Sequence, residues 1–222
     1  RYSVLSEVGM LPAELMGFKP NKFRRLNHLV KNKYFVNNLV ANVSSTLGLI
    51  KKKKLNSIIL NYDEKSTDLF NWYQQLLAES LGKKGMGLLP FISSMPRDNH
   101  SLMQYYLEGT KNNFFTFFFV RDASSNKIIN KSLLKSHNYL KNKTLNNVSY
   151  SQFVATTKVF QKKNIPFRSF LINKRNEETL GELFTFFVLE TILLGKMMNV
   201  NPYNQPAVEL IKKETKKTLK IF

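Results

Sequence analysis

The seven residues Phe114 to Val120 (FFTFFFV) are apolar on both faces of any strand they form. Such a strand has to be covered on both sides, which is the position of a central strand in a parallel sheet between two helical layers. The rest of the chain supplies the partners. Residues 55–62 (LNSIILNY), 87–94 and 166–173 (PFRSFLIN) read as further short strands. Helical patterns lie between them: Ser66 or Thr67 caps a helix over 67–81, Asp98 opens one that ends at Gly109, and two more cover 150–163 and 177–197. A last helix starts at Pro206 and runs to about Leu219. Residues 21–48 carry helical spacing with Gly48 as a stop, and residues 1–20 read as a loop and a short, broken helix. Strands alternating with helices predict an α/β fold, a three-layer α/β/α sandwich with a mainly parallel sheet and a helical C-terminus. In such sheets sites lie at the carboxyl ends of the strands. One domain is expected over 1–222, with an N-terminal helical segment (1–50), an α/β core (51–200) and a C-terminal helix (201–222).

At 222 residues and 43% hydrophobic, the chain can bury a sizeable core, and 13% aromatic residues argue against chain-wide disorder. It has no cysteine, which excludes disulfides, thiolate zinc sites and a cysteine nucleophile. The formal net charge is +19, yet most of it is lysine among asparagines, as in Lys31-Asn32-Lys33 and Lys141-Asn142-Lys143. Arginine, which reads guanine and clamps phosphate, is scarce, and no nucleic-acid-binding motif is present, so no nucleic-acid partner is expected. A basic surface still attracts small anions over long range. Leu183 to Val200 is the most apolar stretch, but Glu190 and Lys196 interrupt it; it reads as a buried helix, with no membrane partner. No signal peptide is visible, and a cytoplasmic location is expected. The first residue is Arg1, not Met, so the chain reads as a fragment.

His28, His100 and His137 lack metal-ligand spacing, so no metal is expected. Gly82-Lys83-Lys84-Gly85 is not a P-loop, and Ser44-Ser45-Thr46 before Gly48 reads as a fraying turn. Three segments carry more. In Trp72-Tyr73-Gln74-Gln75-Leu76-Leu77-Ala78-Glu79-Ser80-Leu81-Gly82-Lys83, Glu79 sits beside the glycine that ends its helix. In Arg97-Asp98-Asn99-His100-Ser101-Leu102-Met103-Gln104, His100 is expected in a first helical turn, whose positive end favours a neutral, proton-accepting ring. In the segment from Gly195 to Lys212, Gln205 and Lys212 are two helical turns apart and are expected to point the same way, an amide and an ammonium suited to a polyhydroxylated anion. Taken singly, each also fits an ordinary solvent-facing helix residue.

Together, and in this order, these segments resemble the C-terminal half of the glucose-6-phosphate isomerase (phosphoglucose isomerase) family. The first is similar to its Glu-Ser-x-Gly-Lys segment, the second to its histidine segment. The third is similar to its C-terminal signature, with Tyr203, Asn204 and Ala207 in place of Phe, Asp and Gly. Arg1-Tyr2-Ser3-Val4-Leu5-Ser6-Glu7-Val8-Gly9 resembles the stretch after the family's double glycine. The resemblance implies a sugar-isomerase (SIS) domain whose N-terminal partner domain lies outside this chain.

It also implies roles. Glu79 is the base that moves a proton between adjacent carbons of a cis-enediol, and Arg1 stabilises the developing oxyanion. His100 and Lys212 assist ring opening, and Gln205 contacts substrate. The implied reaction is glucose 6-phosphate to fructose 6-phosphate, without cofactor or metal, in a homodimer whose partner chain lends the histidine. Two other readings compete: a non-catalytic sugar-phosphate-binding module, which needs no carboxylate over the carbons, and an RNA-binding protein, which predicts strongly salt-dependent affinity.

Overall fold

A computed structural model describes residues 1–121, 127 and 135–221. Four strands form one sheet: β1 (Asn56–Asn61), β2 (Leu89–Ser94), β3 (Asn113–Val120) and β4 (Phe167–Ile172). Their order is β2-β1-β3-β4 and every pair is parallel. β3 is buried along its whole length, and its pleat sorts the aromatic run. Phe114, Phe118 and Val120 face one helical layer, while Phe115, Phe117 and Phe119 face the other. Phe115 stands beside Ile58 and Phe167 in register, so each layer gets a continuous apolar floor.

The first layer is built on α4 (Lys33–Lys51), α5 (Thr67–Leu81) and α8 (Glu177–Met197). α5 lays Leu69, Tyr73, Leu76, Leu77 and Ser80 on the sheet, the stripe its sequence spacing predicts. The second layer holds α6 (Met103–Glu108) and α7 (Leu145–Lys162), through Tyr106, Phe153 and Phe160. α1 (Glu7–Leu15), α2 (Pro20–Phe23) and α3 (Leu26–Leu29) line the flank of α8. α2 approaches α8 so closely that a Cβ on Gly181 would lie 2.1 Å from the Phe23 carbonyl oxygen. Only glycine fits there. The last helix, α9 (Pro206–Thr218), buries none of its residues.

Several boundaries differ from the sequence expectation; the helix expected to open at Asp98 begins only at Met103. The helix expected over 21–48 is split: two short turns precede α4, because Asn32 caps α4 by accepting from the Tyr34 and Phe35 amides. Phe23 turns instead into a small core with Met10 and Ala13. α4 also runs past Gly48, so Ser44-Ser45-Thr46 is helix interior with Thr46 buried, not a fraying turn. α7 starts at Leu145, five residues early, because Thr144 and Asn147 bond each other's backbone in a reciprocal cap. In the remainder of the expected 122–148 loop, Lys135–Leu140 forms a short 3-10 helix, and residues 122–126 and 128–134 lie outside the described residues.

Glu190, the charge inside the most apolar stretch, is 1% exposed and faces Arg168 of β4. Its other donors are the Tyr73 hydroxyl at 3.0 Å and Asn42 Nδ2 at 2.5 Å. Arg168 in turn donates to Thr116 Oγ1 (2.9 Å), Asn42 Oδ1 (2.8 Å) and the Tyr73 hydroxyl (3.1 Å). Burial first, then the Glu190 carboxylate, push the Tyr73 phenol up, so it remains a donor. Among the described residues no helix is long and apolar enough to cross a membrane.

Candidate active site

α5 leaves the carboxyl end of β1 and runs back along the sheet. β2 then starts at Leu89, level with Asn56, the first residue of β1. The end of α5 therefore lies at the amino ends of the strands. Glu79 sits in its last turn, before Gly82 terminates the helix. Its two carboxylate oxygens have separate partners. Oε2 accepts from Arg1 Nη1 at 2.7 Å, and Oε1 accepts from Gln75 Nε2 at 3.0 Å.

Arg1 uses all five N–H donors of its guanidinium. Nε reaches Ser80 Oγ at 3.2 Å. Nη1 reaches Glu79 and, at 2.8 Å, Gln205 Oε1; Nη2 reaches the carbonyls of Pro202 (3.2 Å) and Asn204 (3.1 Å). Its side chain is 8% exposed and that of Glu79 is 25% exposed, so the pair is shielded yet open on one side. The Trp72 indole donates to the Arg1 carbonyl at 2.9 Å while its ring packs edge-on against Phe184. The Tyr2 hydroxyl lies 2.9 Å from Ser80 Oγ and 3.2 Å from the Pro202 carbonyl. Burial is the main reason its phenol is raised above the ordinary value.

Lys83 closes the other side, donating to the carbonyls of Ser80 (2.7 Å) and Asn201 (2.6 Å). Burial, and then the neighbouring Arg1 charge, lower its ammonium below the usual lysine value. A cavity of about 700 Å³ opens here, lined by Glu79, Lys83, Lys84, Asn204 and Gln205 with apolar Val208. A carboxylate, two lysines and amides around such a cavity, with Arg1 bonded to the carboxylate behind it, are groups that suit a polyhydroxylated anion.

The five residues singled out in the sequence are not all brought together. Arg1, Glu79 and Gln205 share one cluster. Lys212 is exposed on α9, paired with Glu209 at 2.7 Å. Gln205 is the residue before α9, with a non-helical backbone (φ −150°, ψ 64°), so the two-turn spacing does not align it with Lys212. His100 is exposed in a turn between the short helical segment Arg97–Asn99 and α6. It therefore precedes the helix rather than occupying its first turn, and the argument from the helix dipole lapses. That turn follows the carboxyl end of β2, whereas Glu79 lies at the amino end. A six-residue strand separates them by roughly 20 Å along the sheet. His100 follows the carboxyl end of its strand, the end at which sites were expected, whereas the Glu79 cluster lies at the amino ends. Sequence reasoning assigned nothing to Gln75, Trp72, Tyr2, Ser80 or Lys83. Gln75, four residues before Glu79, was recoverable from helical spacing; the contacts of Trp72 with Arg1 were not. Among the described residues no group of three or more His, Cys, Asp or Glu is placed to hold a metal.

A family model described as phosphoglucose isomerase matches residues 1–221. The chain belongs to that family. It is 34% identical to the glucose-6-phosphate isomerase of Mycoplasmopsis pulmonis (strain UAB CTIP) over 226 residues, covering 99% of this chain and 53% of that protein. It is 32% identical to the glucose-6-phosphate isomerase of Mycoplasmopsis synoviae (strain 53), covering 96% and 52%. The chain thus spans about half the length of the curated relatives it matches. Among solved structures, a hypothetical protein of Thermus thermophilus superposes with a TM-score of 0.84 at 24% identity, covering 96% of this chain and 54% of that one. That likeness concerns the fold.

Proposed function

We propose that the complete protein is a glucose-6-phosphate isomerase, interconverting glucose 6-phosphate and fructose 6-phosphate in glycolysis and gluconeogenesis through a cis-enediol. The observation that carries this reading is the Arg1–Glu79–Gln205 cluster. A carboxylate held at 2.7 Å from a guanidinium, beside a cavity large enough for a hexose phosphate, is the minimum that such a proton transfer requires. Glu79 takes the proton from C2 of the open-chain aldose, leaving the enediol. The resulting carboxylic acid returns it to C1 while the O2 proton is lost and O1 gains one. Arg1 lies beside the oxygen on which charge develops, and Gln205 contacts the sugar. A proton shuttle between neighbouring carbons calls on no redox group or metal.

His100 and Lys212 serve ring opening in this reading. The distance of His100 from Glu79 within one chain is accounted for if a second copy in a homodimer lends His100, and the exposure of Lys212 if α9, which buries nothing of its own, folds over a complete site. The enzyme acts in the cytoplasm. The test is Glu79→Gln in the full-length protein, followed by fructose 6-phosphate formation and by exchange of the C2 hydrogen with solvent deuterium. Both rates are expected to fall by about a thousandfold or more with substrate binding retained. Wild-type-like turnover in the variant refutes the base assignment. A wild-type protein that binds sugar phosphate without turning it over establishes the binding-module reading instead.

A further inference from the structure

Two residues before His100 stands Asp98, a carboxylate only 5% exposed. Four donors converge on it. Ser93 Oγ (2.9 Å) and the Ser94 amide (2.8 Å) come from the carboxyl end of β2 to Oδ2. Arg97 Nε (3.0 Å) and Ser101 Oγ (3.2 Å) come from the turn to Oδ1. The backbone bonds here close the turn on itself: Asn99 to Pro96, His100 to Arg97 and Leu102 to Asp98. The side chain of Asp98 does something different. It joins the end of the strand to residues on either side of His100, one oxygen for each.

We propose that Asp98 is the positioning residue for His100, holding the turn that presents the imidazole at the rim of the sheet. This rests on the isomerase reading above, in which His100 acts on the ring form of the substrate. A buried carboxylate is costly unless its lone pairs are filled, and here they are filled by the two ends of one short hinge. Among the described residues no hydrogen bond holds the exposed ring, so where the imidazole stands depends on the backbone that Asp98 anchors. Burial alone raises a carboxyl. At Asp98 the bonds from Arg97, Ser93 and Ser94 and the Arg97 charge outweigh that and hold it below its usual range.

The test is a double-mutant cycle in the full-length enzyme, with Asp98→Asn, His100→Ala and both together, read as kcat on glucose 6-phosphate and as thermal midpoint. Asparagine turns an NH2 toward two of the four donors, so the hinge loosens. Asp98→Asn is expected to lower kcat about tenfold with KM changed less than twofold, and to have no further effect in the His100→Ala background. Losses that multiply, or an Asp98→Asn enzyme with unchanged kcat, overturn the proposal while leaving the function of His100 standing. Wild-type turnover in His100→Ala overturns the histidine's role, and this proposal with it. Should Asp98→Asn not fold, Ser101→Ala removes one donor and leaves the carboxylate. Its expected two- to threefold loss of kcat, absent beside His100→Ala, decides the same question.

Discussion

Replacing Arg168 by methionine tests what holds the Glu79 helix in place. Arg168 lies in β4, Glu190 in α8 and Tyr73 in α5, six residues before Glu79. Arg168→Met fills much of the same volume but leaves the Glu190 carboxylate, 1% exposed, with only the Asn42 amide and the Tyr73 hydroxyl as donors and no opposite charge. Breaking a buried pair from one side costs about 3–5 kcal/mol. The Arg168 side chain is 17% exposed, which admits some solvent and points to the lower end, about 3 kcal/mol. Against a total of about 5–15 kcal/mol that is a large fraction, and for a chain of this size it lowers the thermal midpoint by about 6–12 °C. The assay is urea unfolding followed by circular dichroism. The discriminating variant is Arg168→Met with Glu190→Gln, which removes the stranded charge and is expected to recover about 1–2 kcal/mol. A single substitution costing under about 1 kcal/mol, or a second one that recovers nothing, refutes the account.

Trp72→Phe keeps an aromatic ring against Phe184 but removes the indole donor to the Arg1 carbonyl. It is expected to cost about 1 kcal/mol of transition-state stabilisation, about fivefold in kcat of the full-length enzyme; unchanged kcat refutes a role in placing Arg1. The depressed carboxyl of Asp98 makes an acid-side prediction. A carboxyl whose folded value lies below its unfolded one contributes stability above the ordinary carboxylate range and loses it as pH falls through the folded value. Thermal midpoints measured from about pH 5 to about pH 2 are therefore expected to fall less steeply for Asp98→Asn than for the parent, and parallel slopes refute this.

What was legible in the sequence divides along physical lines. The doubly apolar Phe114–Val120 run has one stable home, a central strand, and the structure places it there. α5, α8 and α9 were legible because helical spacing and a first-turn proline such as Pro206 are local signals, although the expected cap of α5 does not form: the Ser66 hydroxyl bonds Asp63 and that of Thr67 the Glu64 carbonyl. The split before α4 was not, since spacing alone continues through Asn32. The helix restarts there because a side chain caps it and because Phe23 finds a better pocket on α8, a contact between segments far apart in the chain. The candidate site shows the same division. Arg1, Glu79 and Gln205 were legible through the family resemblance. Which of them meet depends on α5 running antiparallel to the strands, so that its last turn returns to the sheet's amino end. Lys212 and Gln205 share a spacing but not a helix, because Gln205 lies before the first helical turn.

The arrangement of Arg1 explains why an arginine suits this position better than any other cation. Three of its five bonds go to Ser80 Oγ and the Pro202 and Asn204 carbonyls, all carried by the end of α5 and the segment ahead of α9. Those bonds fix the guanidinium plane without help from Glu79 or Gln205. Only Nη1 faces Glu79 and Gln205, the two groups that the proposed function assigns to the substrate. In that proposal a sugar oxygen taking a share of Nη1 meets a donor that does not have to reorient, which is the condition for stabilising charge that appears only in the transition state. A lysine, with one freely rotating ammonium, would have to choose between anchoring itself and serving the ligand. The fork of the arginine separates the two tasks, so loosening its neutral anchors, Trp72 included, is expected to reduce turnover while leaving the Glu79 ion pair in place.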